Sequence, residues 1–362
     1  MEGDLIHINR WLKPLSWLYG FGVWLRNVLF DSGIIKEQHF ERPVICIGNI
    51  TVGGTGKTPH TEMLLRLLLP KRRVAVLSRG YKRKSHGFRL ASADTPMSEI
   101  GDEPWQMKQK FPEAIVAVDA DRRKGIERLL SDQQTSDIDV ILLDDAFQHR
   151  YVRAKLNILL TDYHRLITDD CLLPAGRLRE PVSAKERADI VIVTKCPSDM
   201  KPIDYRVVRN SLNLKPFQSL FFSTFRYCPL RRLFVDTPGQ EEELTSETYV
   251  LLLTGIATPQ QMLIDLQHTT RHITPMVFPD HHAFTHRDMS RIEEAFTAMQ
   301  GSKRLIVTTE KDAARLRLMQ GLSPIVRRHI YVLPIEVEIM QGRQDEFQST
   351  IFQSLSTTND IR

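Results

Sequence analysis

The 362-residue chain has only four cysteines, Cys46, Cys171, Cys196 and Cys228, scattered and without a Cys-x-x-Cys pair. That scarcity argues against a disulfide framework and a cysteine-built zinc site, and it fits a reducing compartment. A long apolar run is also missing. The best candidate, Leu15 to Leu25, is 11 residues, about 16 Å of helix against a hydrocarbon core of ~30 Å. The acidic start, Met1-Glu-Gly-Asp4, with no small-residue cleavage site after the apolar run, does not read as a signal peptide. Internal repeats and low-complexity tracts are absent. With 42% hydrophobic and 26% charged residues, the composition is that of a folded protein, which excludes wholesale disorder and a polytopic membrane protein. At ~150 residues per domain the length suggests two or three domains, able to fold without disulfides or structural zinc.

What is present is unevenly placed. Residues 1–90 carry 15 Lys/Arg against 6 Asp/Glu, a balance of +9; the rest carry 34 against 38, a balance of −4, which together give the net +5. A basic front end suggests a local anionic partner; nothing supports nucleic-acid binding. Three of the four tryptophans, Trp11, Trp17 and Trp24, fall in the first 24 residues, among Arg10, Lys13 and Arg26. Two readings stay open: a helix lying in a membrane interface, rings at headgroup depth and cations near phosphates, or a helix whose tryptophans pack on the domain.

Short apolar runs follow at Val44–Gly48, Val74–Ser78, Ile115–Val118, Val140–Leu143, Leu156–Leu160 and Ile190–Thr194. They alternate with helical stretches near 58–69, 102–111, 121–132 and 184–188, the pattern of a parallel sheet covered on both faces. A second α/β rhythm starts at Tyr249, with helices near 258–267 and 286–300 and strands near 304–309 and 330–334. The expected architecture is α/β: an N-terminal segment over 1–40, a phosphate-loop domain over 41–215 and an extended linker over 216–248. A smaller α/β domain over 249–345 and a polar tail over 346–362 complete it.

The most specific motif is Gly48-Asn-Ile-Thr-Val-Gly-Gly-Thr-Gly-Lys-Thr58, between a strand and a helix, the context a nucleotide phosphate-binding loop requires. Residues Thr51, Val52, Gly53, Gly54, Thr55, Gly56, Lys57 and Thr58 would wrap the phosphates. The glycines let backbone N–H groups turn inward, Lys57 would contact the β- and γ-phosphates, and Thr58 would ligate Mg²⁺. Thr51 stands where the first glycine is usual. Asp144 and Asp145, at the end of the Val140 strand, are the candidate metal carboxylates, and solvated strand-end acids are the bland alternative. Asp102 and Glu103, in Gly101-Asp-Glu-Pro104, are either helix-capping acids or a base and a metal contact. Arg79 and Tyr81, in Ser78-Arg-Gly-Tyr81, leave a strand toward the crevice where open α/β sheets bind ligands. Arg177, in Leu173-Pro-Ala-Gly-Arg-Leu-Arg-Glu-Pro181, is a candidate charge-stabilising arginine. In Pro279-Asp-His-His-Ala-Phe-Thr-His286 the spacing of His282 and His286 suits a helix face, but a zinc site there lacks an evident third ligand.

Taken together, these motifs, with Asp144-Asp-Ala-Phe-Gln-His-Arg150 and Thr309-Glu-Lys-Asp312, resemble the tetraacyldisaccharide 4′-kinase family of lipid A biosynthesis, in the family's order from 44 to 312. Ala146 departs from the glycine common there. The resemblance implies a P-loop kinase using ATP and Mg²⁺ to phosphorylate the 4′-hydroxyl of an acylated glucosamine disaccharide 1-phosphate. It further implies a peripheral enzyme on the cytoplasmic face of an inner membrane, with no obligate protein partner evident. Carried onto this sequence, Asp102 and His281 are the catalytic pair. Thr58, Glu103, Asp144 and Asp145 surround the metal, and Arg79, Tyr81 and His149 serve the substrate. Two other readings are a GTPase-like switch or chaperone, weakened because Thr194-Lys-Cys-Pro197 lacks the Asn and Asp of a guanine-reading motif, and a membrane-bound ATP-binding scaffold.

Overall fold

A computed structural model describes residues 8–234, 242–256, 259–280, 282–319 and 321–356. The chain forms two units, Met1–Phe225 with Val337–Arg362, and Arg226–Glu336. In the first unit α1 (Lys13–Asp31) precedes β1 (Val44–Gly48), α2 (Lys57–Leu68), β2 (Val74–Ser78) and β3 (Arg89–Leu90). There follow α3 (Met97–Ile100), α4 (Asp102–Lys110), β4 (Ile115–Val118), α5 (Arg122–Ser131), β5 (Val140–Asp144) and β6 (Leu156–Asp162). Next come β7 (Ile190–Thr194), α6 (Pro202–Leu212) and β8 (Ser219–Tyr227). The second unit holds β9 (Arg231–Arg232), β10 (Tyr249–Thr254), α7 (Gln260–Gln267), β11 (Ile273–Val277) and α8 (His286–Ala298). It continues through β12 (Arg304–Thr309), α9 (Glu310–Leu316), α10 (Pro324–His329) and β13 (Ile330–Leu333). The chain returns through β14 (Ile335–Ile339) to α11 (Gln344–Ser356).

The larger sheet runs β14-β8-β7-β6-β1-β5-β2-β4-β3. Its ladders from β8 to β4 are parallel, and β3 pairs antiparallel with β4. Alternation along the strands feeds two apolar layers. Ile45, Ile47, Val74 and Val76 pack with Leu64, Leu65 and Leu68 of α2. Cys46, Ala75, Leu77 and Leu143 pack on the other face with Ile126 and Leu129 of α5. A sheet so covered needs apolar residues on both sides of each strand, which is why β1, β2 and β5 are buried throughout. The smaller sheet runs β11-β10-β12-β13-β9, parallel except for β9.

Two expected boundaries differ. The segment read as a linker from 216 contains β8, whose Leu220, Phe221 and Phe222 are buried and paired with β7. The segment read as a polar tail from 346 lies largely in α11, where Phe347 and Ile351, one helical turn apart, are fully buried in the first unit's core. Average polarity hid that pair; with Phe352 and Leu355 packed beside it, the apolar stripe docks the helix. Accordingly the second unit ends at Glu336 rather than near 345.

Candidate active site

Because β1, β5, β2 and β4 are adjacent and parallel, the loops after them leave from one edge of the sheet. That edge is the ligand crevice of open α/β sheets. The loop after β1 enters α2 at Gly56, which holds a left-handed conformation (φ 82°), as does Gly53 (φ 117°). Position 51 needs no such freedom: Thr51 forms an antiparallel bridge with Leu178, flanked by Val52 N–H to Arg177 O at 2.8 Å and Arg179 N–H to Ile50 O at 2.7 Å. An extended, paired residue suits a β-branched side chain, which accounts for threonine in the usual glycine's place.

Arg179 closes this corner. Its Nε donates to Thr51 O (3.0 Å), Nη2 to Asn49 Oδ1 (2.9 Å) and Nη1 to Gln148 Oε1 (3.2 Å). Asn49 in turn donates to the Thr55 hydroxyl at 2.7 Å. Nη2 also lies 3.6 Å from Asp145 Oδ1, and Lys57 Nζ lies 3.7 Å from the same atom. That oxygen is buried and makes no hydrogen bond, and Asp145 itself is held at φ 46°. Asp144 beside it is 1% exposed and accepts from Thr61 Oγ1 (3.1 Å) and Ser78 Oγ (3.3 Å). Burial first, then the charges of Glu103 and Asp145, push its carboxyl up to about 7, against the pull of Lys57. Glu103 is thereby placed in the electrostatic neighbourhood of Asp144.

Close backbone contact brings the Ser78–Tyr81 and Gly101–Pro104 segments together. A Cβ on Gly101 (φ 91°) would sit 2.8 Å from Tyr81 O, and one on Gly80 (φ 69°) would sit 2.9 Å from Ile100 O. Both glycines are required there. Asp102 and Glu103 open α4, where the helix dipole favours carboxylates. A basic group borders Asp145. Arg122, 5% exposed, donates to Ala120 O at 2.9 Å and to Asp145 O at 3.4 Å while its Nε has no partner. His149 has a buried, unbonded Nε2 3.8 Å from Asp121 Oδ1. Burial, then the Arg122 charge, depresses this imidazole to about 4, with Arg79 acting in the same direction.

The family model described as LpxK: Tetraacyldisaccharide-1-P 4′-kinase matches residues 8–356. The chain belongs to this kinase family. It is 55% identical over 354 residues to a tetraacyldisaccharide 4′-kinase of Phocaeicola vulgatus, covering 97% of this chain and 96% of the relative. To one of Bacteroides fragilis it is 56% identical over 355 residues, covering 97% and 94%. Among solved structures, "apo" form LpxK of Aquifex aeolicus in complex with ATP superposes with a TM-score of 0.72 at 28% identity, covering 95% of this chain and 98% of that one. Membership makes the chain an enzyme, a kinase of lipid A biosynthesis, and favours neither the GTPase-like switch nor the scaffold.

Within this family member the first unit brings Lys57, Asp144, Asp145 and Glu103 together, and Arg122 links them to Arg79 and His149. Arg177 turns an exposed side chain to solvent, and Tyr81 is 63% exposed. Residues not anticipated are Arg179, Arg122 and Asn49. Arg122 follows β4 at the crevice edge, so the strand-end rule that singled out Arg79 also reaches it. Arg179 was legible only through its pairing with the loop. His281 lies outside the described residues. Its neighbours belong to the second unit, where Asp280 pairs with Lys311 at 3.2 Å and His282 Nε2 lies 3.0 Å from Asp288 Oδ2. Among the described residues no group of three or more acidic, histidine or cysteine side chains is placed to hold a metal ion. Mg²⁺ needs less: it keeps waters and takes one or two carboxylates plus phosphate oxygens. The orphaned Asp145 oxygen, Asp144 and the Thr58 hydroxyl are hard donors of the right kind.

Proposed function

We propose that the first unit binds ATP along Thr51–Thr58 and transfers its γ-phosphate to the 4′-hydroxyl of tetraacyldisaccharide 1-phosphate. The observation that carries this reading is the buried Asp145 oxygen set between Lys57 and Arg179 without a hydrogen bond. Lys57 holds phosphate oxygens, and the α2 N-terminus adds its N–H groups. Thr58, Asp144 and Asp145, with Glu103 nearby, hold Mg²⁺, which supplies charge neutralisation on the phosphoryl group. Arg179 stabilises developing charge from within its fixed clamp, with Arg177 beside it. Asp102 takes the hydroxyl proton, since an alcohol is a poor nucleophile at neutral pH. Arg79, Arg122 and the neutral His149 face the anionic sugar head, with Tyr81 at the rim.

The membrane surface is the second partner. No described helix is long and apolar enough to cross a membrane. Yet α1 leaves Trp17, Leu18, Phe21 and Trp24 more than half exposed. Its other side is fastened to the segment that carries Arg179: Ser16 Oγ donates to Leu172 O (3.0 Å), Tyr19 OH to Arg179 O (2.8 Å), and Arg26 pairs with Glu180 (2.7 Å). An interfacial helix so attached would hold the crevice at the headgroup layer, on the cytoplasmic face where ATP is found.

The test is label transfer from γ-labelled ATP to tetraacyldisaccharide 1-phosphate in micelles with Mg²⁺, beside Asp102→Ala. Label should enter the lipid with the parent enzyme. The variant should bind ATP but turn over at least about a hundredfold more slowly. Full turnover by Asp102→Ala removes the proposed base.

A further inference from the structure

His60 is a histidine in an apolar place. It sits at the end of the first turn of α2, 0% exposed, one turn before Leu64 of the core layer. Burying an imidazole costs free energy unless both ring nitrogens are bonded. Both are. Nδ1 lies 2.7 Å from Gly56 O and Nε2 lies 2.9 Å from Ser223 Oγ. A ring so fully removed from water is the neutral form with one proton. A carbonyl only accepts; Nδ1 therefore holds that proton and Nε2 accepts from the Ser223 hydroxyl. Ser223 Oγ is also 3.4 Å from Val193 O, but one hydroxyl proton serves the shorter bond.

The bond to Gly56 fixes more than a side chain. In a trans peptide the C=O and the following N–H point in opposite directions. Gly56 O accepts from His60 twice, through the helical N–H at 3.2 Å and through Nδ1. With that carbonyl drawn back toward α2, the Lys57 N–H is turned outward, to where a phosphate oxygen sits at a helix N-terminus. The preceding carbonyl is treated alike: Thr55 O accepts from Thr194 Oγ1, at the end of β7, at 2.9 Å. Phe225, also on β8, closes over Gly56, where an added Cβ would lie 3.1 Å from its ring. Two successive loop carbonyls are thus pinned from β7 and β8, and Gly56 has no side-chain cap of its own.

We infer that His60 is a positioning residue of the phosphate-binding loop, a relay by which Ser223 of β8 orients the Gly56–Lys57 peptide toward nucleotide phosphate. The inference rests on the nucleotide reading of this loop and goes beyond it by tying loop geometry to β8, the strand that runs on into the second unit.

The experiment titrates the full-length protein and three variants with a fluorescent methylanthraniloyl-ATP and Mg²⁺, and separately measures KM for ATP and for the lipid acceptor. His60→Leu keeps the buried volume and removes both bonds. It should weaken nucleotide binding about tenfold, the equivalent of one hydrogen bond at the loop, and raise the ATP KM in step. The acceptor KM should stay within about twofold. His60→Asn, whose amide can reach Gly56 O, should recover most of the loss. If His60→Leu fails to fold, Ser223→Ala tests the relay from its other end and should weaken nucleotide binding by about threefold. Unchanged nucleotide affinity in folded His60→Leu, or in Ser223→Ala, overturns the inference. So does an equal rise in both KM values, or an Asn variant no better than Leu, because a merely structural histidine would give either. A parent protein that binds nucleotide in a His60-dependent way but transfers no label would sink the reaction instead and leave the relay standing.

Discussion

Two buried aspartates, one in each unit, are treated in opposite ways. Asp312, at the start of α9, is fully buried and fully answered: Oδ2 accepts from Gly255 N–H (2.8 Å) and Thr309 Oγ1 (2.7 Å), and Oδ1 from Arg315 (3.2 Å). Asp144, at the end of β5, is as deeply buried but has only two hydroxyl donors at 3.1 and 3.3 Å and two acidic neighbours, and its carboxyl is pushed up to about 7. Asp170 and Asp288 side with Asp312, since charged or backbone donors hold both below the usual carboxylate range. Burial by itself therefore does not mark a functional acid. What marks it is a deficit the fold leaves for a ligand to fill.

The comparison breaks if the two aspartates respond alike to substitution. Lys57→Ala, which removes the phosphate contact, and Asp144→Asn should have the largest effects, lowering kcat by about 10²–10³-fold. Asp144→Asn should nevertheless melt no lower than the parent. Asp312→Ala strands Gly255 N–H and the Thr309 hydroxyl and removes one ion pair of Arg315, so it should cost on the order of 3 kcal/mol of stability. Its surviving folded enzyme should keep turning over. A normal melt with lost turnover in Asp312→Ala would invert the assignment.

The pH dependence sharpens the same contrast. Asp144 has its folded value raised to about 7 from 3.8, so in that window the folded state holds a proton that the unfolded chain has lost. By linkage, the contribution of Asp144 to stability is most favourable below about 4 and declines as pH rises toward 7. Melting of nucleotide-free, Mg²⁺-free protein should lose part of its downward slope between pH 5 and 7.5 when Asp144→Asn is introduced. An unchanged slope would place the carboxyl in the ordinary range. Arg179→Ala and Arg177→Ala extend the logic to cations. The clamped Arg179 should cost kcat about tenfold more than the solvent-facing Arg177, since only pre-organised charge retains its strength at the transition state.

The strands from 44 to 194 were legible because a doubly covered sheet writes itself as uninterrupted apolar runs. The loop at 51–58 was legible because glycine placement is a backbone requirement. Residues that act through three-dimensional pairing were not. Arg179 and Arg177 look equivalent in sequence, and only the Thr51–Leu178 bridge shows which of them is clamped against Asn49. Nothing in the sequence sets His60 apart from the other polar residues of α2 until Ser223, 163 positions away, appears beside it. The helix 344–356 was hidden for a different reason: its docking residues, Phe347 and Ile351 with Phe352 and Leu355 packed beside them, are spread among polar ones that dilute their average.

The N-terminal helix carries the idea of an unmet deficit from charge to apolar surface. Ser16, Tyr19 and Arg26 bond to the 172–180 segment, while Trp17 is 74% and Trp24 53% exposed. Side chains that contribute little to the fold can be removed at little cost. Trp17→Ser with Trp24→Ser should shift stability by no more than about 1 kcal/mol and should leave turnover on micellar substrate near normal. If the rings sit at headgroup depth, the same pair should weaken sedimentation with anionic phospholipid vesicles by at least about tenfold, the equivalent of losing part of one buried aromatic side chain. Undiminished vesicle binding with a lowered melt would instead make the tryptophans packing residues, the other reading their clustering allowed. The two outcomes separate cleanly because α1 is anchored by polar bonds from residues other than the tryptophans.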